Sequence, residues 1–210
     1  RHRILGILNS DDYQIIFSDT PGVVKPHYKL QESMLKFSTS ALVDADVLLY
    51  VTDTIENKEK NIEFIEKVNR SEAHKIIVLN KIDLIDQSKL EVLVDYWKEQ
   101  IPDAEIFPVS ALHKFNADVL FKRILSVLPD SPPYFEKDAL TDRPEKFFIG
   151  EIIREKIFER YREEIPYSVE VVIESFKEEK KLIRISAVIL VERDSQKGII
   201  IGNKGLALKH

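Results

Sequence analysis

The 210-residue chain has 44% hydrophobic and 32% charged residues, which is typical of a folded globular protein and not of a disordered one. It contains no cysteine, and this excludes disulfides, thiolate zinc sites and cysteine nucleophiles. Its net charge of −5 argues against attraction of the whole protein to nucleic acid, so any such contact is expected to be local. No apolar run approaches the roughly 20 residues that span a bilayer, which argues against an integral membrane protein.

The first predicted elements form a β-hairpin. Residues 4–8 and 13–17 are short apolar runs separated by a polar turn, and the second run leads into Asp19-Thr20-Pro21-Gly22. An Asp at the carboxyl end of a strand can hold Mg²⁺, usually through a water, and Gly22 lets a backbone N–H approach a γ-phosphate. All four residues also favour turns, so by themselves they are equally consistent with an ordinary turn.

Residues 76–79 are four consecutive apolar residues, and they predict a strand buried on both faces of a parallel sheet. Asn80, Lys81 and Asp83 follow at its carboxyl end, the edge at which open α/β sheets bind ligands. The Asp83 carboxylate can accept hydrogen bonds from the N1–H and amine of guanine, Asn80 supplies an amide, and the Lys81 stem covers the base. The spacing predicts guanine recognition; the alternative is a polar turn after a buried strand.

A third loop, Ser110-Ala111-Leu112, follows a predicted strand at 106–109, and its backbone N–H groups can support binding of the guanine O6. The three loops are therefore expected along one sheet edge. The remaining elements are a buried strand and four helices, predicted at 46–51 and near 29–43, 58–68, 88–100 and 117–128. Because strand and helix alternate, the fold class is expected to be α/β with a doubly wound sheet.

These loops, in this order, resemble those of a Ras-like GTPase of the translation-factor superclass. Asp19-Thr20-Pro21-Gly22 is similar to the switch II motif, Asn80-Lys81-Ile82-Asp83 to the guanine-specificity motif, and Ser110-Ala111-Leu112 to the last nucleotide loop. The resemblance implies GTP or GDP as ligand and Mg²⁺ near Asp19. Val23 stands where a Ras-like protein carries the Gln that orients the attacking water, which implies slow turnover; no catalytic residue is assigned.

The phosphate-binding loop of such GTPases, Gly-x-x-x-x-Gly-Lys-Ser/Thr, does not occur in the 210 residues. In the GTPases that this chain resembles, that loop and the switch I Thr lie before the hairpin, so we expect both to precede Arg1. The last residues, 208–210, stop inside a predicted helix, and we expect the carboxyl end to be incomplete too. The 210 residues alone are therefore expected to lack full phosphate binding and GTPase activity.

A proline-rich stretch ends the first helical pattern and predicts two domains. The expected boundaries are a GTPase domain over 1–129, a linker over 130–144 and a second domain over 145–210. The second domain is predicted to begin with a helix at 147–164, in which Ile149, Ile153, Ile157 and Tyr161 recur at four-residue intervals.

Two strand-like runs, 169–173 and 182–191, follow that helix and are joined by a charged turn around 177–181. Beyond them lies Gly202-Asn203-Lys204-Gly205, between an apolar run and a further helical stretch. Such a turn presents backbone amides to nucleic-acid phosphates, and Lys204 adds charge. Ile200 and Ile201 are expected to pack under the turn and line a base-binding groove.

The Gly-x-x-Gly turn alone is also consistent with a glycine-rich helix cap. After a helix and two strands, however, it resembles a type II K-homology (KH) domain, whose extra helix is N-terminal. A Ras-like GTPase domain joined to this KH type resembles the bacterial Era GTPases, and the resemblance covers nearly the whole chain, including residues 151–156, 165–169 and 201–205.

Resemblance to Era implies a GTP-dependent assembly factor of the small ribosomal subunit, which binds 16S ribosomal RNA near its 3′ end through the KH groove. It also implies a monomeric, cytoplasmic protein with some peripheral association at the inner membrane. Two alternatives stay open: a Der-type ribosome-associated GTPase, and a non-catalytic RNA-binding scaffold with a degenerate GTPase fold.

Overall fold

The structure, a computed structural model, describes residues 4–20, 42–56, 62–180 and 182–209. It divides into two compact units, Arg1–Leu140 and Thr141–His210, and the predicted linker spans this division. Most of the helix expected near 29–43 lies outside the described residues. Within the described part of the chain, no helix is long and apolar enough to cross a membrane.

The first unit is an α/β unit that contains a parallel sheet, as the sequence predicts. Its elements are β1 Ile4–Asn9, β2 Gln14–Asp19, β3 Val47–Asp53, α1 Ile62–Asn69, β4 His74–Asn80, α2 Gln87–Gln100, β5 Glu105–Pro108 and α3 Ala117–Val127. Strands β1 and β2 form the expected antiparallel hairpin, whereas β3, β4 and β5 are parallel in that order. The described strands of the first unit thus form two sheets and not one continuous sheet.

Strand β4 is the centre of the parallel sheet, because its side chains are buried on both faces. Ile77 and Leu79 are fully buried on one face, in a cluster with Trp97 of α2. Ile76 is fully buried on the other face, in a cluster with Ile15 of the hairpin. Alternate residues of a strand point to opposite faces, so an uninterrupted apolar run fills both clusters. The position of the strand in turn fixes the loop that begins at its carboxyl end.

The hairpin is also held by residues that the sequence assigns to the linker. The Gln14 amide donates to the Phe135 carbonyl (2.9 Å) and to Asn9 Oδ1 (2.7 Å), and it accepts from the backbone N–H groups of Tyr134 (2.8 Å) and Phe135 (3.0 Å). Asn9 Nδ2 donates to the Ala139 carbonyl at 2.7 Å. The first part of the predicted linker is therefore packed into the first unit.

Glu105, at the start of β5, connects three elements of the first unit. Its carboxylate accepts hydrogen bonds from Arg123 Nε of α3 (2.8 Å) and faces His74 Nε2 of β4 (2.7 Å). The Arg123 guanidinium, and to a smaller extent His74, lowers the pKa of Glu105. The ionised carboxylate is thus favoured in the folded state.

We expect Glu105→Gln to lower the free energy of unfolding by about 1 kcal/mol at pH 7, since the ion pair is partly exposed. The folded pKa of Glu105 lies below the unfolded value of about 4.3, so its contribution is complete above that pH and disappears as the pH falls through the folded pKa. Urea unfolding should therefore show the two proteins converging in stability between about pH 5 and pH 3. Glu99→Gln, at an exposed position of α2, is the control, and a variant as stable as the parent at pH 7 would contradict this account.

The second unit is a helix–hairpin–helix arrangement. Its elements are α4 Glu145–Arg160, β6 Val169–Glu179, β7 Leu182–Val191, α5 Asp194–Ile201 and α6 Leu206–Lys209. Strands β6 and β7 pair antiparallel from Val169 opposite Val191, with a register shift between Ile173 and Ser175. Helix α4 packs on β6 closely enough that a Cβ at Gly150 would lie 3.6 Å from the Val171 carbonyl oxygen.

Two predicted boundaries in this unit are wrong. Helix α4 ends at Arg160 and not at 164, because Tyr161 adopts an extended backbone (φ −110°, ψ 151°). Tyr161 is half-buried, and its hydroxyl donates to the Ile200 carbonyl at 2.9 Å. Strand β6 continues to Glu179 through residues predicted as a turn, because their backbone remains paired with β7, as in Lys177 opposite Arg184.

Candidate functional site

Asn80, the last residue of β4, joins two of the predicted loops. Its Oδ1 accepts hydrogen bonds from the backbone N–H groups of Lys81 (2.8 Å) and Ala111 (3.0 Å). Lys81 has a left-handed backbone (φ 61°, ψ 33°), which is uncommon for a residue other than glycine. The amide of Asn80 therefore stabilises a sharp turn and holds the loop after β5 beside it.

Asp83 and Ser110 form the second connection between these loops. Asp83 lies in the 3₁₀ turn Ile82–Leu84, and the Ser110 hydroxyl donates to its Oδ1. This hydrogen bond lowers the pKa of Asp83, so the carboxylate is ionised at neutral pH. Ser110 is only 2% exposed, whereas Asp83 is exposed and Leu112 is 80% exposed. An oriented, solvent-facing carboxylate at this edge can accept hydrogen bonds from an N–H pair such as that of guanine.

Asp53, the last residue of β3, belongs to the same edge and was not predicted. It lies opposite Asn80 in the parallel register, and its Oδ2 accepts a hydrogen bond from Lys81 Nζ at 2.6 Å. Its Oδ1 accepts from the backbone N–H groups of Ile55 and Glu56, both at 2.8 Å. The bond from Lys81 is the largest cause of a lowered pKa at Asp53. Its position at the carboxyl end of a predicted strand is the signal that could have identified it.

The first predicted loop is only partly described. Asp19 is the exposed last residue of β2 and Thr20 is half-buried, whereas Pro21, Gly22 and Val23 lie outside the described residues. Strand β2 belongs to the hairpin sheet, while the other two loops follow the parallel sheet. The structure therefore brings the second and third predicted loops into contact and places Asp19 on a separate sheet.

The predicted magnesium ligand fits what surrounds it. Across residues 4–20, 42–56, 62–180 and 182–209, no group of three or more His, Asp or Glu side chains could hold a metal ion. Among these residues, Asp19 is thus not part of a preformed cluster of metal ligands. Mg²⁺ usually keeps several waters and binds through one or two carboxylates together with substrate phosphates, so the Asp19 carboxylate suits it.

The Gly-x-x-Gly segment of the second unit forms the predicted turn between two helices. Gly202 has φ 70° and ψ 179°, and a Cβ built on it would lie 2.6 Å from the Ala207 Cβ. Gly205 and Lys204 are also left-handed, with φ 75° and 52°. Both the backbone conformation and the close contact thus require glycine at 202, whereas at 205 the conformation alone favours it.

Side chains around this turn divide into buried and exposed groups. Ile200 is 4% exposed and packs inside the unit, as predicted, whereas Ile201 is 36% exposed. Asn203 and Lys204 are exposed at the tip of the turn. The turn therefore presents polar groups and one cation to solvent, with an apolar side chain beside them.

Two protein-family models match the chain. One is described as a 50S ribosome-binding GTPase and covers residues 1–81, and the other is a KH domain that covers residues 164–210. GTPase Era from Geotalea daltonii is 44% identical over 212 residues, which span 100% of this chain and 71% of that protein. The chain belongs to the Era family of GTPases. The predicted fold class, a Ras-like GTPase domain followed by a KH domain, is thereby confirmed.

Solved Era structures have the same fold over the whole chain. A point variant of Aquifex aeolicus Era bound to GDP·AlF₄⁻ has a TM-score of 0.89 at 36% identity, covering 100% of this chain and 73% of that chain. Era in complex with MgGDPNP and nucleotides 1506–1542 of 16S ribosomal RNA has a TM-score of 0.90 at 37% identity, covering 100% and 72%. Membership of the Era family makes the protein a GTPase with an RNA-binding KH domain and favours it over the Der-type and scaffold alternatives.

Proposed function

We propose that this protein is a GTP-dependent assembly factor of the small ribosomal subunit, and that its KH domain binds 16S ribosomal RNA near the 3′ end. Binding of guanine nucleotides is supported by the ionised, exposed Asp83 carboxylate, which accepts a hydrogen bond from the Ser110 hydroxyl of the neighbouring loop. The ribosomal half is supported by the Era relative that was solved with both MgGDPNP and a 16S fragment.

GTP and GDP, with Mg²⁺, are the proposed ligands of the first unit. Asp83 accepts from the N1–H and amine of guanine, the Lys81 stem covers the base, and Asn80 holds the two loops together. The loop Ser110-Ala111-Leu112 is proposed to donate a backbone N–H to the guanine O6. The Ser110 N–H now donates to the Phe115 carbonyl and the Ala111 N–H to Asn80 Oδ1, so use of either donor requires it to exchange its partner when guanine binds. Bound Mg²⁺ would supply positive charge to the phosphates. Asp19 would hold it through a water, and the Gly22 N–H of Thr20-Pro21-Gly22 would approach the γ-phosphate.

The proposed RNA site of the second unit is the turn Gly202–Gly205. Its backbone approaches a phosphate because Gly202 and Gly205 carry no side chain, and Lys204 adds a positive charge. Asn203 offers hydrogen bonds, and the exposed side of Ile201 contacts a base above the buried Ile200. Loss of the γ-phosphate on hydrolysis would release the switch and thereby change RNA binding.

The proposed setting is the cytoplasm, with peripheral association at the inner membrane, and the protein is proposed to act as a monomer. Gel filtration coupled to light scattering, and fractionation of cells into membrane and cytosol, test these two points. A stable dimer in solution would contradict the monomeric state. A protein found only outside the cytosol would contradict the cytoplasmic setting.

The test of the proposed function uses the full chain as its gene encodes it. Fluorescent N-methylanthraniloyl-GDP with Mg²⁺ should bind and be displaced by GTP but not by ATP. Anisotropy should show binding to an RNA of 16S nucleotides 1506–1542 in preference to a scrambled RNA of equal length. RNA binding without any guanine-nucleotide binding would overturn the proposal and favour the scaffold alternative.

A further inference from the structure

We propose that Asp53 is a positioning residue that sets how tightly the protein retains its guanine nucleotide, by fixing the Lys81 side chain over the base. The structural basis is the 2.6 Å ion pair between Asp53 Oδ2 and Lys81 Nζ at the carboxyl ends of neighbouring strands. This inference rests on the proposed function, since it requires the loop after β4 to hold guanine.

The Asp53 carboxylate is itself fixed before it contacts the lysine. One oxygen, Oδ1, is occupied by the backbone N–H groups of Ile55 and Glu56, which close a tight turn directly after β3. The other oxygen, Oδ2, accepts the bond from Lys81. The Asp53 side chain is 22% exposed, so bulk water competes only partly for the ion pair.

The ion pair with Asp53 restrains a Lys81 side chain that is otherwise largely open to solvent. That side chain is 48% exposed, and a lysine stem has many rotamers in solution. The same β3 loop also holds the Lys81 backbone, since Thr54 Oγ1 donates to the Lys81 carbonyl at 3.2 Å. A stem held in one direction loses less conformational freedom when a base packs against it, and this favours slow release.

Asp53 and Asp83 therefore have separable effects on nucleotide binding. Asp83 faces the hydrogen-bonding edge of the base and determines which base is accepted. Asp53 faces Lys81 and offers no group to that edge, so it changes the rate of release without changing the choice of base.

The test is Asp53→Asn in the full chain. Asparagine keeps an Oδ1 that can accept the two backbone N–H bonds, but it removes the charge that holds Lys81. Stopped-flow dissociation of N-methylanthraniloyl-GDP with Mg²⁺ should become roughly threefold to fivefold faster, as expected for a partly exposed pair. The preference for GDP over XDP in competition should remain that of the parent protein.

A matched control is Asp103→Asn, because Asp103 pairs with Lys75 at the other end of β4. This change also removes a lysine–aspartate pair from the same strand, and it should leave the dissociation rate unchanged. Equal acceleration by both changes would show a general loss of strand stability and would overturn the inference.

A double substitution distinguishes positioning from a structural role. If Asp53 acts through Lys81, then Asp53→Asn should have no further effect in a Lys81→Met background. A parental dissociation rate in Asp53→Asn, or an equal acceleration in both backgrounds, would overturn the inference while leaving the proposed function intact. Absence of guanine-nucleotide binding by the unchanged protein would overturn both.

Discussion

Asp83→Asn should change the preference of this protein from guanine to xanthine nucleotides. The ionised carboxylate accepts two hydrogen bonds, which the N1–H and amine of guanine can donate. Asparagine presents one acceptor and one donor, and xanthine carries a carbonyl oxygen where guanine carries the amine. Hydrogen bonds to a charged group contribute about 1.5–3 kcal/mol, so GDP affinity should fall roughly 10- to 100-fold while XDP affinity rises.

This change is measured by displacing a labelled nucleotide, either N-methylanthraniloyl-GDP or labelled XDP, with unlabelled GDP and with unlabelled XDP. The control is Asp86→Asn, three residues further along, where the side chain caps α2 by accepting from the Lys89 N–H at 2.9 Å. Asparagine is an equally good N-cap, so this variant should keep the stability and the selectivity of the parent. Unchanged GDP selectivity in Asp83→Asn would reject the assignment of Asp83 to base recognition.

The sequence predicts the centre of the first unit well because the relevant signals are local. Four adjacent apolar residues bounded by polar ones are typical of a short strand covered on both faces, and the polar residues that follow such a strand lie at its carboxyl end. The predicted contact between the loops of Asp83 and Ser110 follows from topology alone, because the carboxyl ends of neighbouring parallel strands meet.

Partners across strands are not predicted in the same way. Nothing local to Asp53 indicates that its carboxylate will contact Lys81, 28 residues later, because that contact depends on the register of β3 against β4. The Gln14 amide likewise bonds residues 120 and 121 positions away. Proline-rich composition predicts the end of a helix at 129–133, but it does not tell whether the following segment packs or is free.

The early end of α4 has a related cause. Tyr161 has the four-residue spacing of a helical stripe, and its side chain is half-buried. Its backbone is extended, however, and its hydroxyl bonds the Ile200 carbonyl, 39 residues later, in a contact that the local sequence does not reveal. Periodicity reports which face a residue occupies and not whether its backbone is still helical.

Gly202→Ala should weaken RNA binding by roughly 10- to 100-fold, since the turn would relax in the free protein and returning it to the RNA-binding conformation would cost about 1–3 kcal/mol. The residue combines φ 70° with ψ 179°, a region used essentially by glycine alone. The new Cβ would also lie 2.6 Å from the Ala207 Cβ, so the turn must move away from the start of α6. Anisotropy with the 16S fragment of nucleotides 1506–1542 measures the loss.

Two other glycines of the same unit provide graded controls. Gly198→Ala lies within α5 with nothing within 4 Å of the new Cβ, so it should stabilise the helix by about 0.5–1 kcal/mol and leave RNA binding unchanged. Gly205→Ala is strained by its φ of 75° but meets no neighbouring atom, so its loss of RNA affinity should be smaller than that of Gly202→Ala.

All three variants should bind N-methylanthraniloyl-GDP normally, which reports an intact first unit. Parental RNA affinity in Gly202→Ala would show that the turn does not approach the RNA backbone, because a displaced turn could not then support the same contact.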